Sequence, residues 1–206
     1  MYSEILKLCR DGAPATAILM FVVLVFSCIS LYSNSFFLKM ILHPYSVIKE
    51  KEYYRLFTGD LVHNDFMHLI LNEIMLYVMC ASLEEHLKTL SHAGSWLFII
   101  IYLSSCLFGS VLITVRHKKQ FSYSSAGASG SILGCMFSFM ILKPNYMGFY
   151  LPVLGGIKNT YTALIYIVIL IGYQKRSEKL LLNHELHFYS AVGGILATLV
   201  LFYDQI

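Results

Sequence analysis

Charge is what this sequence lacks most. Only 13% of its 206 residues are Asp, Glu, Lys or Arg, and 57% are hydrophobic, whereas a soluble domain is about 25% charged. Three stretches contain none of these four residue types: 12–38, 89–115 and 120–142. Each is long enough to cross a bilayer, which takes about 20 apolar residues in a helix. The scarcity of charge therefore excludes an ordinary soluble enzyme and indicates a membrane protein.

Shorter apolar segments complete the set of predicted spans, at about 64–84, 159–174 and 187–203. We therefore predict an all-α polytopic membrane protein, a bundle of six transmembrane helices that forms one domain over residues 1–206. The first apolar run is too long for the core of a signal peptide and lacks a small-x-small cleavage pattern. It is expected to remain as the first span.

Paired cysteines and a large net charge are also absent. The five cysteines show no paired spacing, and four of them fall inside predicted spans, so no disulfide framework is expected. A net charge of +3 is too small to indicate a nucleic-acid partner. The expected surroundings are the lipid bilayer, and the sequence does not indicate the oligomeric state.

Polar side chains are costly within a span, so those that occur there are candidates for function. His68 and Asn72 lie near the start of the second predicted span, Ser129 near the start of the fourth and His187 at the start of the sixth. Alternate spans run in the same direction, so these four residues should share one depth beneath one membrane face. Small residues at helical spacing allow close helix packing, and they form a stripe along the sixth span: Ser190, Gly194 and Thr198.

A hydroxyl in contact with an imidazole forms a nucleophile and its general base. Ser129 and His187 are therefore predicted to be a catalytic dyad. His68, Asn72 and the backbone N–H of Ser129 are predicted to bind the oxyanion of a tetrahedral intermediate. No aspartate in the sequence is expected to lie where it could orient His187, so a triad is not predicted.

Two of these motifs resemble those of the rhomboid intramembrane serine proteases. His63, His68 and Asn72 have the spacing of that family's His-x-x-x-x-His-x-x-x-Asn motif. Residues 127–130 match its Gly-x-Ser-Gly motif, which opens the fourth span. The resemblance covers about residues 50–200.

Three further positions extend the resemblance. His187, Ser190 and Gly194 follow the family's His-x-x-Gly-x-x-x-Gly motif in the sixth span, with Ser in place of the first Gly. Arg55 resembles the arginine of a Trp-Arg motif in the first loop, and Glu84 resembles the glutamate that ends the second span.

The resemblance implies that Ser129 is the nucleophile, that His187 is the general base, and that His68 and Asn72 bind the oxyanion. It implies an endopeptidase that cuts the transmembrane helices of other membrane proteins near the membrane surface, without a metal or cofactor. It also implies a group of structural residues: His63, Arg55, Glu84, Gly127, Gly130 and Gly194.

The sequence departs from the family pattern in ways that keep an alternative open. Tyr54 replaces the Trp, and Leu133 stands where the family often has an aromatic ring against the histidine. A second register of the glycine motif would place Ala191 in the position of His187. The alternative function is that of a catalytically inactive rhomboid-like protein that binds transmembrane clients.

Two other functional interpretations, a zinc protease and a small transporter, have less support in the sequence. The histidines of the segment "HELH", 184–187, are three residues apart instead of the four that a zinc-protease helix requires, so no metal site is expected. A small transporter would need an internal repeat or a polar path, and the sequence has no repeat. Glu73 has no role in either the family pattern or these alternatives.

The orientation in the membrane is open at the level of sequence. The family usually places the N-terminus in the cytosol and the active site on the opposite side. Cytoplasmic loops carry an excess of Lys and Arg, but ten of the fifteen Lys and Arg residues fall in loops predicted on the active-site side. The charge rule and the resemblance therefore predict opposite orientations.

Overall fold

The structure is a computed structural model that describes residues 12–151, 155–165, 168 and 184–204. The described part is mainly helical, with one two-stranded antiparallel sheet. The longer helices and the short helices of the first loop are, in chain order, α1 (Pro14–Tyr32), α2 (Asn34–Met40), α3 (Pro44–Lys49), α4 (Arg55–Thr58), α5 (Phe66–Met75), α6 (Ala81–Leu90), α7 (Gly94–His117), α8 (Ser129–Leu142) and α9 (His184–Leu201). The strands are β1 (Met147–Leu151) and β2 (Gly155–Lys158).

Three helices in the described residues are long and apolar enough to cross a membrane: Pro14–Tyr32, Phe66–Leu90 and Gly94–His117. The second comprises α5 and α6, joined without a break through a π-helical turn at Leu76–Cys80. The prediction of a helical membrane protein is therefore confirmed, and these helices correspond to the first three predicted spans. Large apolar side chains on their outer faces, such as Phe21 and Trp96, are exposed, as lipid contact requires.

The charge-free stretch 120–142 is not helical throughout, which corrects its use as a full-length span. Helix α8 has 14 residues and begins only at Ser129. The preceding residues form turns, and Gly127 has a φ of +111°, which a helix does not allow. At about 1.5 Å per residue, α8 is shorter than the roughly 30 Å hydrocarbon core.

The last two predicted spans are described in part. Residues 159–165 are helical, and most of the remainder of the predicted span 159–174 lies outside the described residues. Helix α9 has 18 residues and corresponds to the sixth predicted span. It packs against α7 and α8, so α8 lies between other helices instead of facing lipid.

A buried carboxylate joins three of the helices. Glu84, on α6, is fully buried and accepts hydrogen bonds from the backbone N–H groups of Ala15 and Thr16, at 3.0 and 2.7 Å. It also accepts from the hydroxyls of Thr16 and Ser95, at 2.8 and 2.6 Å. Since the first N–H groups of a helix lack intrahelical partners, Glu84 caps α1 and ties it to α6 and α7.

The first loop is organised by Arg55. Its guanidinium donates to the carbonyls of Leu38 and Ile41, at 2.8 and 3.0 Å, and pairs with Glu52 at 2.6 Å. These bonds hold α4, which begins at Arg55, against the end of α2 and against the turn after α3.

Candidate active site

Ser129 and His187 are in hydrogen-bond contact, with 2.7 Å between Oγ and Nε2. Ser129 is the first residue of α8, and His187 lies in the first turn of α9. Both side chains are partly buried. Among the described residues, no carboxylate is hydrogen-bonded to His187, so the arrangement is a pair without a third member.

Glycines allow the two helices to approach closely enough for this contact. A Cβ on Gly194 would overlap the carbonyl of Gly134, and a Cβ on Gly134 would lie 2.8 Å from the carbonyl oxygen of Ser190. The close crossing turns His187 toward Ser129. Ala191, the residue that the second register would put in its place, is instead buried beside Met136 and Phe137.

Ser190 occupies a space that is completed by glycines on two other helices. Its Oγ would lie 2.8 Å from a Cβ on Gly130 and would overlap a Cβ on Gly109. A hydroxymethyl group therefore fits at this position because both of its neighbours lack a side chain.

His68 lies next to the segment that leads into Ser129. A Cβ on Gly127 would be 2.6 Å from Cε1 and 2.9 Å from Nε2 of His68. The positive φ of Gly127 and the absence of its side chain thus make room for the His68 imidazole two residues before Ser129. The carboxylate of Asp65 caps α5, the helix that carries His68, by accepting a hydrogen bond from the backbone N–H of His68 at 2.8 Å.

Asn72 is buried, and its Nδ2 donates to the carbonyl of His68 at 2.8 Å. One of the two amide protons is therefore used within the helix, and the second is left to donate elsewhere. The side-chain oxygen of Asn72 has no hydrogen-bond partner.

The ring of His63 is hydrogen-bonded to α1. Its Nδ1 lies 2.8 Å from Oγ of Ser27, and that hydroxyl donates its single proton to the carbonyl of Leu61 at 2.9 Å. Nδ1 must then carry a proton, which leaves Nε2 as an unpartnered acceptor. Burial lowers the pKa of His63 to about 4, so the ring is neutral at neutral pH. Its centroid is 4.8 Å from that of His68, edge to face.

A polar cluster that the sequence reasoning missed joins the end of α7 to the start of α9. Glu185 accepts from Nε2 of His117 at 2.8 Å and from Arg116 at 3.1 Å. The His117 ring stacks on Tyr123 with 3.9 Å between centroids. Glu185 is two residues before His187, so this cluster fixes the turn that carries the imidazole. In the sequence, only the segment "HELH" points to this place, and its spacing suggests a metal motif and not an ion pair.

Within the part of the chain that the structure describes, no group of three or more His, Cys, Asp or Glu side chains is arranged to hold a metal. Glu73 is half-buried, and its Oε1 has no partner there.

Comparison with known proteins is consistent with these motifs. The model of the Rhomboid domain family matches residues 50–204. Rhomboid protease GluP of Bacillus subtilis (strain 168) is 27% identical over 156 residues, which cover 76% of this chain and 27% of GluP. The protein YdcA of the same strain is 31% identical over 96 residues, which cover 46% of this chain and 44% of YdcA. The matched part of this chain thus spans less than half the length of either relative.

Proposed function

The chain belongs to the rhomboid family, and on that premise we propose that it is an intramembrane serine endopeptidase acting through a Ser129–His187 dyad. The observation that carries the proposal is the 2.7 Å contact between Ser129 Oγ and His187 Nε2. We further propose that the whole chain, 1–206, forms one six-span domain. Its substrates are the transmembrane segments of other membrane proteins.

The proposed reaction uses the two side chains in sequence. His187 Nε2 takes the hydroxyl proton as Ser129 Oγ attacks the scissile carbonyl, and it then gives that proton to the leaving amine. Water, deprotonated by the same imidazole, cleaves the acyl-enzyme and releases Ser129.

The oxyanion is proposed to lie at the start of α8. The backbone N–H of Ser129 is in the first turn, where helix N–H groups have no intrahelical partner and the helix dipole is positive. The position of His68 beside Gly127 supports a second donor from its ring, and Asn72 has one amide proton left to donate. Removal of one such donor typically costs about 3–4 kcal/mol of transition-state stabilisation.

The substrate must reach Ser129 as extended chain, because a serine nucleophile attacks an accessible carbonyl and a regular helix shields its own. Transmembrane segments with small or helix-breaking residues near the membrane surface unwind most easily, so these are the proposed substrates.

Cleavage of a transmembrane substrate in proteoliposomes tests the proposal. Ser129→Ala and His187→Ala should each reduce cleavage by at least about 1,000-fold, since the pair acts as a unit. Ser124→Ala, which changes an exposed serine in the loop before α8, is the matched control and should cleave like the wild type. Equal cleavage by wild type and Ser129→Ala would overturn the proposal.

The second candidate function is client binding without catalysis, which the aliphatic Leu133 favours because it offers His187 no aromatic partner. A fluorophosphonate probe separates the two functions. Labelling that is lost in Ser129→Ala supports the protease, and a folded wild type that resists labelling supports the client-binding protein.

A further inference from the structure

Two consecutive residues of the first loop hold the segment around Ser129 from both sides. The carbonyl of Gly59 accepts from the backbone N–H of Gly127 at 2.9 Å. The carboxyl of Asp60 accepts from the hydroxyl of Ser131. The two contacts fall two residues before and two residues after Ser129, so together they enclose the nucleophile.

Asp60 is buried in a place where a carboxyl is costly. It is 8% exposed, and burial raises the pKa of its carboxyl to about 6. Its Oδ2 also receives the hydroxyl of Tyr102, from α7, at 3.3 Å. A buried polar group of this kind needs partners, and one of its two hydroxyl donors lies in the first turn of α8.

The rest of the surroundings of Asp60 are mainly apolar. A cavity of about 230 Å³ lies beside it, lined by residues that include Leu19, Phe57 and Phe98. An apolar residue at position 60 would therefore be compatible with most of these neighbours. The carboxyl is called for by the donors beside it, the hydroxyls of Ser131 and Tyr102 and the thiol of Cys106.

We infer that Asp60 is a positioning residue that acts through Ser131 to fix the first turn of α8, and with it the direction in which Ser129 Oγ points. The inference rests on the proposed function for its effect on reactivity, although the mechanical link itself does not depend on catalysis. Asp60 does not touch the reacting atoms, because its polar contacts are with Ser131, Tyr102 and Cys106 instead of with His187.

Hydrogen exchange measured by mass spectrometry tests the mechanical link without any substrate. The amides of Gly127 and Ile132 are both hydrogen-bonded, to Gly59 and Ala128, and they report on the enclosed segment. Asp60→Ala and Ser131→Ala should each speed exchange in peptides that contain these amides by about tenfold, the value of one lost hydrogen bond. The double variant should be no faster than Asp60→Ala alone, because both substitutions remove the same contact.

Tyr102→Phe is the matched control. It removes a donor to the same carboxyl oxygen but leaves α8 untouched, so exchange in these peptides should match the wild type. Asp60→Asn, which keeps an acceptor oxygen for Ser131, should restore slow exchange.

Reactivity is measured in parallel as the rate at which a fluorophosphonate labels Ser129. Asp60→Ala and Ser131→Ala should lower this rate by about tenfold, while Tyr102→Phe and Asp60→Asn keep it. If Asp60→Ala does not fold, Ser131→Ala removes the same hydrogen bond with a smaller change to the side chain, and it should give the same effects of about tenfold.

Either of two results would overturn the inference: exchange unchanged in Ser131→Ala, or an equal acceleration in Tyr102→Phe and Asp60→Ala. A wild type that is not labelled at all would instead count against the proposed protease, and the exchange data would still decide the role of Asp60.

Discussion

At the scale of single residues, Gly127 sets how closely His68 of the second span approaches the segment before Ser129. Its φ of +111° lies in a region that costs residues with a side chain about 1–3 kcal/mol. The His68 ring occupies the space that a Cβ would need. Both features belong to the same glycine, so conformation and packing exclude other residues independently.

Gly127→Ala should therefore impair the site more than it impairs the fold. We expect the rate of fluorophosphonate labelling at Ser129 to fall at least tenfold, because the added methyl group would push His68 away and strain the turn before α8. Gly156→Ala is the control, since its Cβ would meet the flexible Met147 sulfur at 3.0 Å. Wild-type labelling in Gly127→Ala would show that the position of His68 does not matter for reactivity.

The contact between Ser129 and His187 could be predicted from the sequence because polar groups stand out in apolar spans. The contact between Asp60 and Ser131 could not be predicted, since 71 positions separate the two residues and neither lies in a recognisable pattern. The pairing of His117 with Glu185 was hidden for the same reason. Charge scarcity identifies which residues are unusual, but only the packing of the helices identifies their partners.

At the scale of helices, Ser190 shows how a departure from the family pattern is accommodated. The resemblance implies a glycine there, and a serine adds a hydroxymethyl group at a helix crossing. Gly109 and Gly130 face that group from α7 and α8. The three helices thus share one small space, and the residue that fills it comes from α9.

Substitutions at Ser190 should follow side-chain volume. Ser190→Gly should keep wild-type labelling of Ser129, because glycine is the residue that the family pattern has. Ser190→Leu should lower the midpoint of thermal unfolding in detergent and abolish labelling, since overpacking typically costs about 1–3 kcal/mol and would separate α9 from α8. A leucine variant as reactive as the wild type would refute the close crossing of α8 and α9.

Helix boundaries can be predicted from the sequence where a span is uniformly apolar, and less well where a span ends in polar residues. The sequence predicts that the second span ends near residue 84, but α6 continues to Leu90. Glu84 does not end the helix, because it is buried and satisfied by donors from α1 and α7. In the stretch 120–142 the predicted span is longer than the helix. The residues before Ser129 form turns, and because they are uncharged, the absence of charge does not distinguish them from the helix.

At the scale of the whole molecule, polar contacts cluster where helix ends meet loops. Glu84 caps α1, Asp60 meets the start of α8, and Glu185 joins the start of α9 to the end of α7. Glu84 accepts from backbone N–H groups that lack partners within their helix, whereas Asp60 and Glu185 accept from side chains of neighbouring helices. Where α7, α8 and α9 cross, the helices pack through small residues instead.

The short α8 makes a final prediction about topology. Ser124, before α8, and Asn145, after it, are both exposed, and six spans require them to lie on opposite sides of the membrane. In a variant without native cysteines, Ser124→Cys and Asn145→Cys should react with a membrane-impermeant maleimide from opposite sides.

The same experiment gives the orientation of the chain. Reaction of Ser124→Cys from outside gives the family orientation, and reaction of Asn145→Cys from outside gives the orientation that the Lys and Arg count favours. Reaction of both from the same side would contradict the span count. Since α8 measures only about 21 Å and the hydrocarbon core about 30 Å, opposite sides would also require at least one end of α8, at Ser129 or at Leu142, to lie recessed below the membrane surface.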